Sequence, residues 1–162
     1  MQVISDFINK LKSSLTKAQK TGFFATFLIG LLTHMPALVL DAPNHDGLAS
    51  MYFDQNMITS GRWFLGTACG ISSFYSIPWL IGVLSLIYLS VTAVVLIKLL
   101  NVDRSLVALL ISGLLVTFPS LASNFAYVFT MDGYMLGVLF AVLAEIKTSI
   151  FAPPQKTLFC EK

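Results

Sequence analysis

Charge is scarce in this chain, and its absence from three long stretches is the first constraint. Asp, Glu, Lys and Arg make up 11% of 162 residues against 56% hydrophobic ones, too few to clothe a soluble domain of this size. No charged residue occurs from Thr21 to Leu40, from Ile77 to Ile97, or from Ser105 to Ser123. Cysteine is nearly missing as well: Cys69 and Cys160 are the two present, which cannot make a disulfide framework, and without a CxxC pair they do not suit a metal site. HExxH, GxxxxGKS/T and GxSxG are all absent, so zinc proteolysis, ATP hydrolysis and serine-hydrolase chemistry have no motif behind them. A net charge of +2, with no basic cluster interleaved with aromatics, excludes nucleic acid as a partner. There is no internal repeat and no low-complexity tract.

What is present is hydrophobic length. Crossing a bilayer takes roughly 20 apolar helical residues, and the charge-free stretches supply three such runs. A fourth, GYMLGVLFAVLA from Gly133 to Ala144, is short by itself and is expected to extend both ways, with Asp132 at one interface and Glu145 and Lys147 snorkelling at the other. The expected fold is all-α, a polytopic membrane protein with spans over 21–40, 77–98, 105–123 and 128–150. An N-terminal amphipathic helix over 1–20 precedes the membrane domain 21–151, and a tail over 152–162 follows it. Ile4, Phe7, Ile8, Leu11 and Leu15 recur at helical spacing with lysines on other faces, as in a helix lying on a membrane surface. The first apolar run is long and lacks a small-x-small cleavage pattern, so it reads as an uncleaved anchor.

Orientation follows from the Lys and Arg residues, because loops rich in them stay in the cytoplasm. Nine of the ten fall before span one, from the end of span two to the start of span three, or in the last turn of span four and beyond it, and Arg62 alone falls on the other side. Both termini are therefore expected in the cytoplasm, with Asp41, Asp46, Asp54 and Asp132 on the outer face. The same placement puts Cys69 outside and Cys160 inside.

The outer loop 41–76 begins DAPNHDGLASMYFDQNMITSGRW. Pro43 stops span one, Asn44, His45 and Asp46 suit a turn or N-cap, and a second helix is expected to lie in the outer interface until Gly61 ends it. Arg62, Trp63 and Phe64 then open another short piece, with Trp63 at the headgroups. Asp46 is thereby placed near the outer end of span one, and SNFAYVFTMDGYML brings Asp132 to a similar depth beside Tyr127 and Tyr134. Two carboxylates from separate loops can hold a divalent cation, or one can act as a general base while the other positions a sugar. The plainer alternative is that both cap helices or stay solvated. His45 is a candidate substrate contact or a solvated loop residue. Arg62 can neutralise a lipid-linked phosphate or anchor at the headgroups. His34, inside span one, reads as a hydrogen-bonded interhelical residue.

The ordered set PNHDG after a first span, SGRW closing an amphipathic stretch, FYSIPWLIGVL entering span two, and FTMDGYMLGVLFAVLA resembles the N-terminal part of the GtrII-type glucosyltransferases, over about residues 20 to 147. That resemblance implies a GT-C-like enzyme of the bacterial inner membrane. Such an enzyme moves glucose from a polyprenyl-phosphate carrier to a surface polysaccharide such as the O-antigen of lipopolysaccharide, without a nucleotide-sugar site. It implies Asp46 as the first-loop catalytic acid and Asp132 as the second-loop acid; the divalent cation is an expectation from the two carboxylates and not from the resemblance. His45 stands where the family often carries a second adjacent acid. Family members are several hundred residues long, so a shortened member is expected here. The alternatives are a flippase-like four-span carrier of polyprenyl-linked sugar, which should favour Lys or Arg within its spans, and a structural subunit of an envelope complex.

Overall fold

The computed structural model describes residues 14–40, 59, 61–69 and 77–151, the last five as backbone only, and every regular element among them is helical. In chain order these are α1 (Lys17–Val39), α2 (Trp63–Ala68), α3 (Pro78–Leu99), α4 (Ser105–Thr117), α5 (Pro119–Asn124) and α6 (Met131–Phe151). α1 packs against α3 and α4, α3 packs against α6, and the short α2 lies on α6.

α1 starts where its sequence caps it. Gln19 N donates to Thr16 Oγ1 at 3.2 Å while Thr16 N donates to Gln19 Oε1 at 2.9 Å, a reciprocal pair that satisfies two otherwise orphaned amides. Lys17 and Lys20 therefore sit in the first turn of α1, which begins ahead of the expected boundary at residue 21. The earlier part of the expected amphipathic helix, residues 1–13, lies outside the described residues, as do 41–58 of the outer loop and the tail from 152.

The distribution of side chains on α1 is inverted relative to a soluble helix. Ala18, Gly22, Thr26, Gly30, His34 and Leu38 recur every four residues and are buried, whereas Phe24, Leu28, Leu32, Met35 and Val39 face outward. In water each of those large side chains would forgo about 1.5–3 kcal/mol of burial. In hydrocarbon their exposure costs nothing, and small residues inside let the helices approach closely. α4 repeats the pattern, with Ala108, Ser112 and Val116 inside and Leu106, Leu110 and Leu114 outside. This inversion points to a membrane protein.

Contacts fix how the helices run. A side-chain carbon at Gly22 would collide with Ile97, one at Gly30 with Leu86 and one at Gly82 with Leu38, so α1 and α3 are antiparallel. Ser112 Oγ donates to the Gly22 carbonyl at 3.2 Å, and His34 Nε2 lies 3.0 Å from the Val116 carbonyl, so α4 runs parallel to α1. The turn between α3 and α4 is a Schellman motif: Asn101 takes φ +50°, Asn101 N donates to Lys98 O and Val102 N donates to Ile97 O. Val102 closes it by packing beside Ile97, Ala18 and Ala108. Lys17, Lys20, Lys98 and Arg104 consequently gather at one end of the bundle. The main core lies toward the other, where Leu38, Ile81, Leu86, Leu89, Val116, Phe125, Met131 and Met135 meet.

The expectation of four spans is met in part. α1 and α3 are long and apolar enough to cross a membrane. The expected third span, 105–123, is broken: Phe118 is extended at ψ 128° ahead of Pro119, because the proline ring disfavours a helical conformation in the residue before it. α4 keeps 13 residues, about 20 Å at 1.5 Å per residue against a hydrocarbon core of about 30 Å. The fourth helix begins at Met131 rather than at residue 128.

Candidate functional site

Arg62, Cys69, Asp132 and Tyr134 come together at the end of the bundle opposite the lysines. Gly61 takes φ +77°, a left-handed conformation that glycine adopts without steric cost, and the chain turns there into α2. The short piece expected to open at Arg62, Trp63 and Phe64 is thus observed, with Arg62 as its N-cap residue and Cys69 as its C-cap residue. Trp63 is 71% exposed.

Gly133 in the first turn of α6 seats α2. A side-chain carbon there would overlap Cys69 Sγ and come within 2.7 Å of Leu65 Cδ1, so α2 rests directly on the α6 backbone. Cys69 is fully buried in that contact, and its thiol lies 3.8 Å from the Thr130 carbonyl as a weak donor. Arg62 Nη1 donates to the Tyr134 hydroxyl at 3.4 Å, tying α2 to α6 from the other side. Between them runs a groove of about 270 Å³ lined by Arg62, Trp63, Phe64, Leu65, Gly133, Tyr134, Gly137 and Phe140.

Asp132 lies beside this junction. It is only 2% exposed, and its Oδ1 accepts a hydrogen bond from Gly133 N at 2.9 Å. A carboxylate in the first turn of a helix is favoured by the helix dipole. Among the described residues no group of three or more His, Cys, Asp or Glu side chains is arranged to hold a metal ion. A cation at Asp132 would draw on residues outside them, among which the expected partner is Asp46. Asp46 and His45 lie outside the described residues.

The structure therefore brings Arg62 onto the first turn of α6, which carries Asp132; the sequence placed both on the outer face without pairing them. It also shows Tyr134 as an Arg62 partner and Gly133 as the seat for α2. The only prior signal was their place inside the quoted FTMDGYML. His34 is where the sequence put it, buried between helices and bonded to Val116 O, and its ring also stacks on Phe125 at 3.8 Å with 4° between planes.

Fold and site together define a helical membrane protein whose polar chemistry collects at one end of the bundle, against an aromatic groove. A family model described as glucosyl transferase GtrII matches residues 35–148, which is more than half of the 162-residue chain. The chain belongs to the GtrII glucosyl transferase family and is by that membership a glycosyltransferase, with a sugar donor and an acceptor as its general partners. The matched stretch includes His45, Asp46, Arg62 and Asp132, and it favours a transferase over the flippase-like carrier. Comparison with curated proteins and comparison with solved structures each found no match.

Proposed function

We propose that this end of the bundle binds a polyprenyl-phosphate-linked sugar, glucose by family, for transfer to a surface polysaccharide such as O-antigen on the periplasmic side of a bacterial inner membrane. The observation that carries the reading is the groove between α2 and α6. Its lining is mainly apolar and aromatic but also includes Arg62 and Tyr134, whose side chains are bonded at 3.4 Å, and Tyr134 stands one residue from Gly133 and two from Asp132. An amphipathic donor fits that division: isoprenoid carbons against Trp63, Phe64 and Phe140, phosphate oxygens on Arg62.

In the proposed reaction Asp46 takes the proton of an acceptor hydroxyl as that oxygen attacks C1 of the carrier-linked glucose. The C1–O bond to phosphate breaks, and its electron pair leaves with the polyprenyl phosphate. The leaving group is already an anion that departs readily, so the protein has chiefly to supply a base and place the acceptor. Asp132 orients a sugar or shares a cation with Asp46, and His45 contacts the substrate. A chain of four membrane passes with both termini cytoplasmic puts these residues on the required face. The common end of Lys17, Lys20, Lys98 and Arg104 supports that orientation through the positive-inside rule.

Two measurements test this. With single cysteines placed in a Cys69→Ser, Cys160→Ser background, a membrane-impermeant maleimide added to intact cells modifies Ser50→Cys and spares Asn101→Cys. The reverse pattern would put the acids on the wrong side for a carrier-lipid donor. In membrane vesicles, cross-linking of a photoreactive polyprenyl-phosphoglucose falls about tenfold in Arg62→Ala, the equivalent of one charge-assisted hydrogen bond. Arg62→Lys recovers part of it, since an ammonium replaces the charge without the fork geometry. Undiminished cross-linking in Arg62→Ala would leave Arg62 a headgroup anchor.

A further inference from the structure

The break between α4 and α5 leaves a problem that one side chain resolves. In a continuous helix the Val116 carbonyl would accept from the amide four residues on, but Pro119 starts a new helix and that carbonyl becomes a helix-end orphan. It lies in the main core, where Val116 is fully buried, and an unpaired buried carbonyl is costly. His34, reaching across from α1, meets it with Nε2 at 3.0 Å; with the proton on that nitrogen, the ring donates. The same imidazole lies flat on Phe125 at 3.8 Å, and Phe125 is the residue that closes α5. One ring from α1 therefore grips both flanks of the break.

Beyond Phe125 the chain has a single short path to the site. Successive turn bonds, Phe125 N to Ala122 O, Ala126 N to Ser123 O, Tyr127 N to Asn124 O and Thr130 N to Tyr127 O, carry it to Met131. Phe125 and Met131 share the core cluster. Thr130 supplies the carbonyl against Cys69, and Asp132 follows two residues later.

We infer that His34 is a positioning residue that clamps the segment from Val116 to Phe125, and thereby holds the Thr130–Asp132 turn and the docked α2 in place. The link from that turn to transfer rests on the proposed role of Asp132, whereas the clamp itself does not.

Cys69 provides a readout independent of activity, because it is fully buried against Thr130 at the far end of the path. In a Cys160→Ser chain in native membranes, modification of Cys69 by N-ethylmaleimide reports opening of the junction. His34→Leu and Phe125→Leu each raise its rate about tenfold, the size of one lost buried hydrogen bond or its stacked support. His34→Gln, which keeps a side-chain N–H donor, recovers much of the protection. Ser112→Ala removes the hydrogen bond to Gly22 toward the opposite end of the bundle and leaves the rate unchanged. Unchanged labelling in His34→Leu, an equal rise in Ser112→Ala, or no recovery in His34→Gln would each overturn the clamp. Raised labelling with donor cross-linking and transfer intact would uphold the clamp and sink the role given to Asp132.

Discussion

Replacing Asp46 by Asn lowers glucosyl transfer by roughly 10²- to 10⁴-fold, the usual contribution of a positioned general base, while the amount of protein in the membrane stays as in the parent. Asn keeps the size and the cap-forming oxygen of Asp, so a residue that merely caps a helix tolerates the change with little loss. It cannot accept the proton of an attacking hydroxyl, so a base does not. The measurement is incorporation of labelled glucose from polyprenyl-phosphoglucose by membranes, normalised to the protein by immunoblot, with Asp54→Asn as a companion that changes little. Transfer near the parental rate in Asp46→Asn would return Asp46 to the class of caps.

The second large effect is expected at Gly133. In Gly133→Val the new side chain has no room, because its first carbon would overlap Cys69 Sγ and lie 2.7 Å from Leu65 Cδ1. Leu65 can swing aside, but Cys69 is short, fully buried and held against Thr130, so α2 itself has to lift. Overpacking of this kind costs about 1–3 kcal/mol, which raises the open population roughly 10- to 100-fold. Cys69 modification in the Cys160→Ser background should speed up accordingly, and donor cross-linking at the groove should fall with it. Gly137, one turn further along the same groove, is the control. Nothing lies within 4 Å of a carbon added there, so Gly137→Ala leaves Cys69 modification at the parental rate. Equal tolerance at the two glycines would mean that α2 does not rest on α6 as described.

Much of this was legible one residue at a time. The charge-free runs announced α1 and α3, whereas the capping box of Thr16 with Gln19 that starts α1 went unread and the boundary was expected at residue 21. Gly61 followed by Arg62 and Trp63 announced a turn and a new short helix. The break in the third span was also written, as Phe118–Pro119 inside an apolar run. It was passed over because hydropathy does not respond to proline: the run stays apolar although its backbone cannot continue.

Hydrophobic length, the lopsided distribution of lysine and arginine, and the order of the loop residues depend on local composition, so the chain by itself determined a helical membrane protein and its resemblance to the GtrII glucosyltransferases. The pairings depend on contacts across large separations, which only packing decides. Arg62 meets Tyr134 because Gly133, having no side chain, lets Cys69 and α2 approach the α6 backbone. His34 meets Val116 and Phe125 because α4 runs parallel to α1 and ends where its last carbonyls need a donor. Local pattern names the residues that can be buried or bonded, but which ones share a space is set by the interdigitation of side chains from helices that the sequence lists far apart.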